Sequence, residues 1–199
     1  MGEQKFYRVN EIFASLQGEG YWTGRAAVFV RFSGCNLRCP FCDTDFRQYE
    51  SLTREEILRR VQEASSGCRF VILTGGEPTL QVDRELVDLF HQHHYYIAME
   101  TNGTLSYPEG VDWVTCSPKE TYCAGAKLAV RKVHEVKVVY DGEHPVSDEG
   151  LECQARYLQP CDTGDETRNK KILLGAIRYV MEHPQWRLSL QTHKLLGIR

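Results

Sequence analysis

Three cysteines, Cys35, Cys39 and Cys42, fall within the segment "CNLRCPFC" in a C-x3-C-x2-C spacing. Thiolates this close together bind a soft metal or exchange with a disulfide. Structural zinc closes its shell with four ligands, and no second C-x2-C or H-x3-H pair completes one here. "HQHH" places His91 and His94 one helical turn apart, but on the solvated end of an amphipathic segment. A redox C-x2-C at Cys39 and Cys42 leaves Cys35 without a task. An iron–sulfur cubane normally takes four thiolates. With three, one iron stays open to a small molecule, as a catalytic metal keeps a vacant position.

Other residues of chemical interest lie in short motifs. "TGGEP" (74–78) joins Gly75 and Gly76, where a missing Cβ permits close backbone approach, to Pro78, which suits the first turn of a helix. "ETNGT" (100–104) and "SPK" (117–119) follow further along. Arg31 stands in the otherwise apolar "AAVFVRF", where an unpaired charge is costly. It calls for either a bidentate anionic ligand or a structural ion pair. "LQGEGYWTG" (16–24) has a glycine pattern, but it precedes a strand instead of following one, which argues against a dinucleotide fingerprint.

Those motifs need elements to hold them. "AAVFVRF" (26–32), "FVILT" (70–74), "YIAME" (96–100), "DWVTC" (112–116), "EVKVVY" (135–140) and "ARYLQ" (155–159) read as buried strands, with "WRLSLQT" (186–192) as a further alternating one. Helices lie between them. "TREEILRRVQEAS" opens on a capping box of Thr53 and Glu56 and aligns Ile57, Leu58 and Val61. "DRELVDLFHQHH" aligns Leu86, Leu89 and Phe90, and "DETRNKKILLGAIRYVMEH" runs to Pro184. Alternating strands and helices mean βαβ units and a parallel sheet. A complete eight-unit barrel needs ~250 residues, and this chain has 199. The expected α/β fold is a partial, open barrel of about six parallel strands, in one domain spanning 1–199. Residues 1–25 would be an N-terminal extension to the barrel of 26–199. Chemistry in such sheets sits at the carboxyl ends of strands. The cysteine loop, "TGGEP", "ETNG" and "SPK" fall there in turn.

Bulk properties exclude several classes. A net charge of −3 gives no basic excess for nucleic acid. No apolar run approaches the ~20 residues of a membrane span, and the amino terminus has no export pattern. The expectation is a cytoplasmic protein. Its eight cysteines are then not a disulfide framework. Cys68, Cys116, Cys123, Cys153 and Cys161, isolated in sequence, read as small buried apolar residues.

C-x3-C-x2-C on a loop after the first strand, paired with "TGGEP" on the next, resembles the radical S-adenosylmethionine (SAM) superfamily. That resemblance implies a [4Fe–4S] cluster on Cys35, Cys39 and Cys42 whose open iron is chelated by SAM. It also implies a 5′-deoxyadenosyl radical from SAM cleavage. Gly75 and Gly76 would then edge the SAM site, and Phe41 would lie beside the adenine unless it is a core aromatic. More closely, "NEIFASLQGEGYWTGRAAVFVRFSGCNLRCPFCDT", "TGGEP", "ETNGT", "SPK", "LQP" and "QTHKLLGIR" resemble the 7-carboxy-7-deazaguanine synthase family from residue 10 to 199. That family converts 6-carboxy-5,6,7,8-tetrahydropterin to 7-carboxy-7-deazaguanine with loss of ammonia, on the way to queuosine and other 7-deazapurines. It uses the cluster, SAM and Mg2+, and regenerates SAM each turnover.

The family resemblance also implies roles for individual residues. Cys42, Asp43, Ser117, Pro118, Lys119, Gln159, Pro160, Cys161 and Asp162 go with Phe41 and the two glycines to SAM. Thr44 goes to Mg2+, where substrate and water would complete the octahedron. Leu16, Gln17, Gly18, Glu19, Arg31, Thr74, Glu100, His193 and the final Arg199 go to the pterin. A Gln amide can read an edge in two directions, and Glu19 is either a partner for the guanidine-like edge or a solvated loop carboxylate. The resemblance further implies a low-potential electron donor such as flavodoxin or ferredoxin, a homodimer, and no nucleic-acid or membrane partner. Two rivals remain at this point. A glycyl-radical-enzyme activase shares the cysteine spacing but should lack "LQGEG" and "QTHK". A small zinc-binding or interaction domain would make the strand-end motifs accidental.

The cysteine assignment has a direct test. Replacing any one of Cys35, Cys39 or Cys42 by Ala is expected to abolish SAM cleavage, whereas Cys68→Ala or Cys153→Ala is expected to retain it. Methionine release after anaerobic reconstitution measures both.

Overall fold

Each of the six apolar runs becomes a strand in the computed structural model, which describes residues 4–42, 44–45 and 48–199. In chain order the elements are β1 (Tyr7–Leu16), β2 (Ala26–Phe32), β3 (Glu50–Leu52), α1 (Arg54–Ala64), β4 (Phe70–Gly75), α2 (Arg84–Gln92), β5 (Tyr96–Thr101), β6 (Trp113–Cys116), β7 (Glu135–Tyr140), β8 (Ala155–Pro160), α3 (Glu166–Glu182), β9 (Arg187–Leu188) and α4 (Thr192–Leu196). They form one sheet in the order β3-β1-β2-β4-β5-β6-β7-β8-β9. From β2 to β9 every pairing is parallel. The two edge strands do not meet, so the barrel is partial and open, as expected. No helix among the described residues is long and apolar enough to cross a membrane.

Period-2 alternation sorts the strand residues onto two faces. Val28, Val30, Phe32, Val71, Leu73, Ile97 and Met99 share one core cluster with the buried faces of α1 and α2. The α1 face is the expected Ile57, Leu58 and Val61, and the capping box forms in both directions. On α2 the fully buried positions are Leu86, Val87 and Phe90, with Leu89 only packed against their edge. Helix α3 ends at Glu182, ahead of Pro184, which disfavours a helical residue before it. The opposite face of the sheet is layered. Near the amino ends of the strands Ala27, Phe70, Ile72, Ala98 and Trp113 form a second apolar cluster. One step further along, the same face carries Arg31, Thr74, Glu100 and Lys137.

Within the N-terminal extension, β1 pairs antiparallel with β2 along Leu16 to Val9, with a register shift at Asn10, and carries β3 outside it. The run 186–192, expected to be a strand, pairs with β8 only at Arg187 and Leu188. Ser189 then turns inward, its Oγ donating to Gln159 Oε1 at 2.9 Å and accepting from Gly20 N at 2.9 Å. The chain therefore leaves the sheet edge and ends in α4. On α4, Leu195 and Leu196 are exposed.

The carboxyl ends of β2, β4 and β5 are clamped together. Gly76 N donates to Phe32 O at 2.9 Å and Glu77 N to Gly34 O at 2.9 Å. Gly75 has φ +122°, and a Cβ on it would lie 2.2 Å from Phe32 O; one on Gly76 would lie 2.0 Å from Gly34 O. Hence both glycines are required by the approach of the chain's own backbone. Glu77 is buried and accepts from Thr79 N, Thr79 Oγ1, Thr101 Oγ1 and Asn102 N at 2.7–3.1 Å. Glu77→Ala strands all four donors, at an expected cost of about 3 kcal/mol or more. For a chain of this size that lowers Tm by roughly 6–12 °C, and thermal denaturation measures it.

Candidate functional site

The cysteine loop leaves β2 and lies across the clamped strand ends. Asn102 Nδ2 donates to Asn36 Oδ1 at 3.0 Å, and Asn36 Nδ2 to Thr104 Oγ1 at 2.8 Å, tying the loop to "ETNGT". Cys35, Cys39 and Cys42 line a cavity of about 250 Å3 together with Phe41, Gly75, Gly76, Ser117, Lys119 and the segment Gln159 to Asp162. Of the residues expected at the SAM site, Pro118 is buried outside this lining and Asp43 falls outside the described residues. Phe41 packs edge-on against Tyr122 at 4.7 Å between ring centroids.

The donors here suit a soft, electron-poor group. Burial pushes the free Cys35 thiol up, and burial with a hydrogen bond from Cys123 pushes Cys39 up to about 12. Ligation to iron would deprotonate both. Cys123 Sγ lies 3.6 Å from Cys39 Sγ, so it is not the isolated core residue its sequence context implied. No local spacing signals it, because 84 residues separate the two. No three His, Cys, Asp or Glu side chains among the described residues converge on a single-ion position. A cubane, which puts its thiolates on separate irons, does not require that. Lys119 Nζ donates to Ser117 O at 2.8 Å and also to Ser117 Oγ, and burial lowers its pKa. Among the described residues no carboxylate pairs with it, which leaves a buried cation lining the cavity for an anionic group of a ligand.

A second cavity, of about 510 Å3, lies on the β1 side. Leu16, Gln17, Gly18, Glu19, Arg31, Thr74, Glu100, His193 and Arg199 all line it, as do Thr44 and Asp45. It shares Glu19, Thr74, Gly75, Glu100 and Gln191 with the first, so the two cavities meet at one wall. The wall is a closed ring of hydrogen bonds. Gln17 Nε2 donates to Glu100 Oε1 at 3.0 Å, and Lys137 Nζ to Glu100 Oε2 at 2.7 Å and Glu19 Oε2 at 2.5 Å. Gln191 Nε2 donates to Glu19 Oε1 at 3.0 Å, and Glu19 N returns to Gln17 Oε1 at 3.2 Å. Burial would raise the Glu19 carboxyl, but the charge and hydrogen bond of Lys137 override it and hold Glu19 down at about 2. Glu19 is thus a buried, paired carboxylate and not a solvated one.

Arg31 makes the structural ion pair of its two sequence readings, and it also borders a cavity. Its Nε donates to Glu11 Oε1 at 2.8 Å, and its side chain lines the second cavity. Arg199 also pairs with Glu11, lies 4.8 Å over the Phe13 ring, and accepts from Ser15 Oγ at its carbonyl. The end of the chain therefore closes one side of the cavity. Lys137, Gln191 and Glu11 went unrecognised in the sequence. Lys137 carried a legible signal, the same charge within an apolar strand that marks Arg31.

Residues 29–136, more than half the chain, match the radical SAM superfamily. The chain is 48% identical over 192 residues to a Bacteroides thetaiotaomicron protein named 7-carboxy-7-deazaguanine synthase, covering 96% of this chain and 98% of that one. A Bradyrhizobium diazoefficiens protein of the same name is 44% identical over 215 residues, with 97% and 99% covered. The crystal structure of QueE from Escherichia coli matches with a TM-score of 0.71 at 25% identity, over 93% of both chains.

The docking of the last residues yields a prediction. Thr192 N and Oγ1 both donate to Gly18 O at 3.0 Å, and a Cβ on Gly18 would lie 2.1 Å from His193 Nδ1 and 2.9 Å from His193 N. Gly18→Ala is expected to lift the terminal segment. Hydrogen exchange of the amides from 192 onward should accelerate about tenfold or more, which corresponds to roughly 1.4 kcal/mol of local stability.

Proposed function

We propose, from the premise that the chain belongs to the 7-carboxy-7-deazaguanine synthase family of radical SAM enzymes, a role for each of its two cavities. The first holds the cluster and SAM, the second the pterin. The protein's reaction is the one that family is named for: formation of 7-carboxy-7-deazaguanine, from 6-carboxy-5,6,7,8-tetrahydropterin with loss of ammonia. The observation that supports this reading is the wall the two cavities share, since a cosubstrate in one would lie beside a substrate in the other.

Cys35, Cys39 and Cys42 would hold the [4Fe–4S] cluster, and Gly75, Gly76, Ser117, Lys119 and Gln159 to Asp162 would seat SAM. Bound there, the two supply a 5′-deoxyadenosyl radical for hydrogen abstraction. Lys119 meets the SAM carboxylate with a charge that no carboxylate among the described residues pairs with. On the other side Glu19 and Glu100 accept from the amine and amide edge of the pterin, and Gln17 holds Glu100 in place. Arg31, steadied by Glu11, faces the substrate carboxylate. His193 offers a ring N–H donor to the substrate. Thr44 supports Mg2+, whose remaining ligands come from substrate and water. The family resemblance also supports a homodimer and a flavodoxin- or ferredoxin-like electron donor. A cytoplasmic location suits the three thiols, since that compartment keeps cysteines reduced.

Product analysis tests the reading. Anaerobically reconstituted protein with SAM, reductant, Mg2+ and carboxytetrahydropterin is expected to yield 7-carboxy-7-deazaguanine by mass spectrometry, and no product would refute it. Thr44→Ala is expected to weaken Mg2+ stimulation of turnover while leaving the visible spectrum of the cluster intact.

A further inference from the structure

Lys137 belongs to none of the roles assigned above, yet the wall between the cavities is built on it. It is only 5% exposed, on the inward face of β7. Two carboxylates from distant segments, Glu19 after β1 and Glu100 on β5, converge on its Nζ at 2.5 and 2.7 Å. Each carboxylate gives its other oxygen to an amide, Glu19 to Gln191 and Glu100 to Gln17. Carboxylate oxygens have two lone pairs each, so both acids keep acceptor capacity toward the cavity they line.

Two half-buried carboxylates brought together disfavour each other's ionisation unless a cation stands between them. If one took a proton it would become a donor, and the wall would present a mixed edge. We propose that Lys137 is the positioning residue that keeps Glu19 and Glu100 side by side as two anions, so that the site selects a flat heterocycle with a multi-donor, guanidine-like edge. This rests on the function proposed above and specifies how its substrate is recognised. Other charged groups lie close to the trio. Glu135 sits two residues earlier on β7, bound to Tyr21 N and Trp113 Nε1, with its carboxyl pushed up to about 7 by burial. Lys119 faces Lys137 from the loop after β6, and His193 faces Glu19 from α4. Among the described residues, neither Glu135 nor His193 hydrogen-bonds the two carboxylates, so the acceptor edge is set by the trio itself.

The test compares holoenzyme variants at saturating SAM with carboxytetrahydropterin varied from pH 6 to 8.5. For wild type, KM is expected to vary little across this range through Glu19 and Glu100. Lys137→Met is expected to raise KM about tenfold or more at neutral pH, with kcat changed far less, and to add a titration that makes KM fall with rising pH. Lys137→Arg, which keeps the cation, should recover most of the wild-type KM and its pH profile. Lys137→Gln keeps N–H donors without charge and should behave as Lys137→Met does. It decides the matter should the Met variant fail to fold. A folded Met or Gln variant with wild-type KM and pH profile overturns the inference, and so does failure of both to fold, which would make Lys137 a core ion pair alone. If wild type makes no product from carboxytetrahydropterin, it is the proposed function that falls.

Discussion

The carboxyl ends of β2, β4 and β5 are drawn together more tightly than side chains would allow, and the site depends on that contact. Two backbone hydrogen bonds, Gly76 N to Phe32 O and Glu77 N to Gly34 O, zip the start of the cysteine loop to the end of the neighbouring strand. They exist because residues 75 and 76 have no Cβ to obstruct them. Buried Glu77 extends the clamp to Thr101 and Asn102, and Asn102 reaches back to Asn36 in the loop. A loop with three free thiols is thereby held to a fixed frame on two sides before any metal arrives.

Beyond the clamp, the inward face of the sheet grades from apolar to charged along the strands. The layer of Phe70, Ile72, Ala98 and Trp113 is a small core covered by Trp22, from the turn that follows β1. One residue pair further along, the same alternation places Thr74, Glu100 and Lys137, where partial burial makes charges expensive unless they are matched. The matching is done with a single lysine and two carboxylates, supported by Gln17 and Gln191. Breaking such a set by removing the cation leaves buried negative charge, which is far more destabilising than the set is stabilising. That asymmetry favours a site whose ionisation is set by the fold and not by solvent.

The far side of the second cavity comes from both ends of the chain. Strand β1 brings Glu11, Leu16 and Gln17, and the last residues bring Gln191, His193 and Arg199. The terminal segment is held by polar contacts, Thr192 to Gly18 and Arg199 to Glu11 and Ser15, while Leu195 and Leu196 stay in solvent. Ser189 makes the change of direction, since bonding Gly20 and Gln159 takes its chain off the sheet edge.

What the sequence determined by itself was periodic or local. Apolar runs gave the six principal parallel strands, the Thr53–Glu56 box gave the start of α1, and chain length gave an open barrel. The cysteine spacing and the strand-end motifs pointed to the residues that line the first cavity, because a parallel sheet gathers its strand-end loops at one end. Arg31 was visible as a charge in an apolar strand. Tertiary structure alone decided the rest. The pairing of Lys137 with Glu19 and Glu100 spans up to 118 residues of chain, and Cys123 meets Cys39 across 84. The strand at 7–16 depends on finding β2 as a partner, and the run at 186–192 loses its strand character to side-chain bonds made from Ser189. Such contacts have no period and no fixed spacing, so they come into being only when the sheet closes over them.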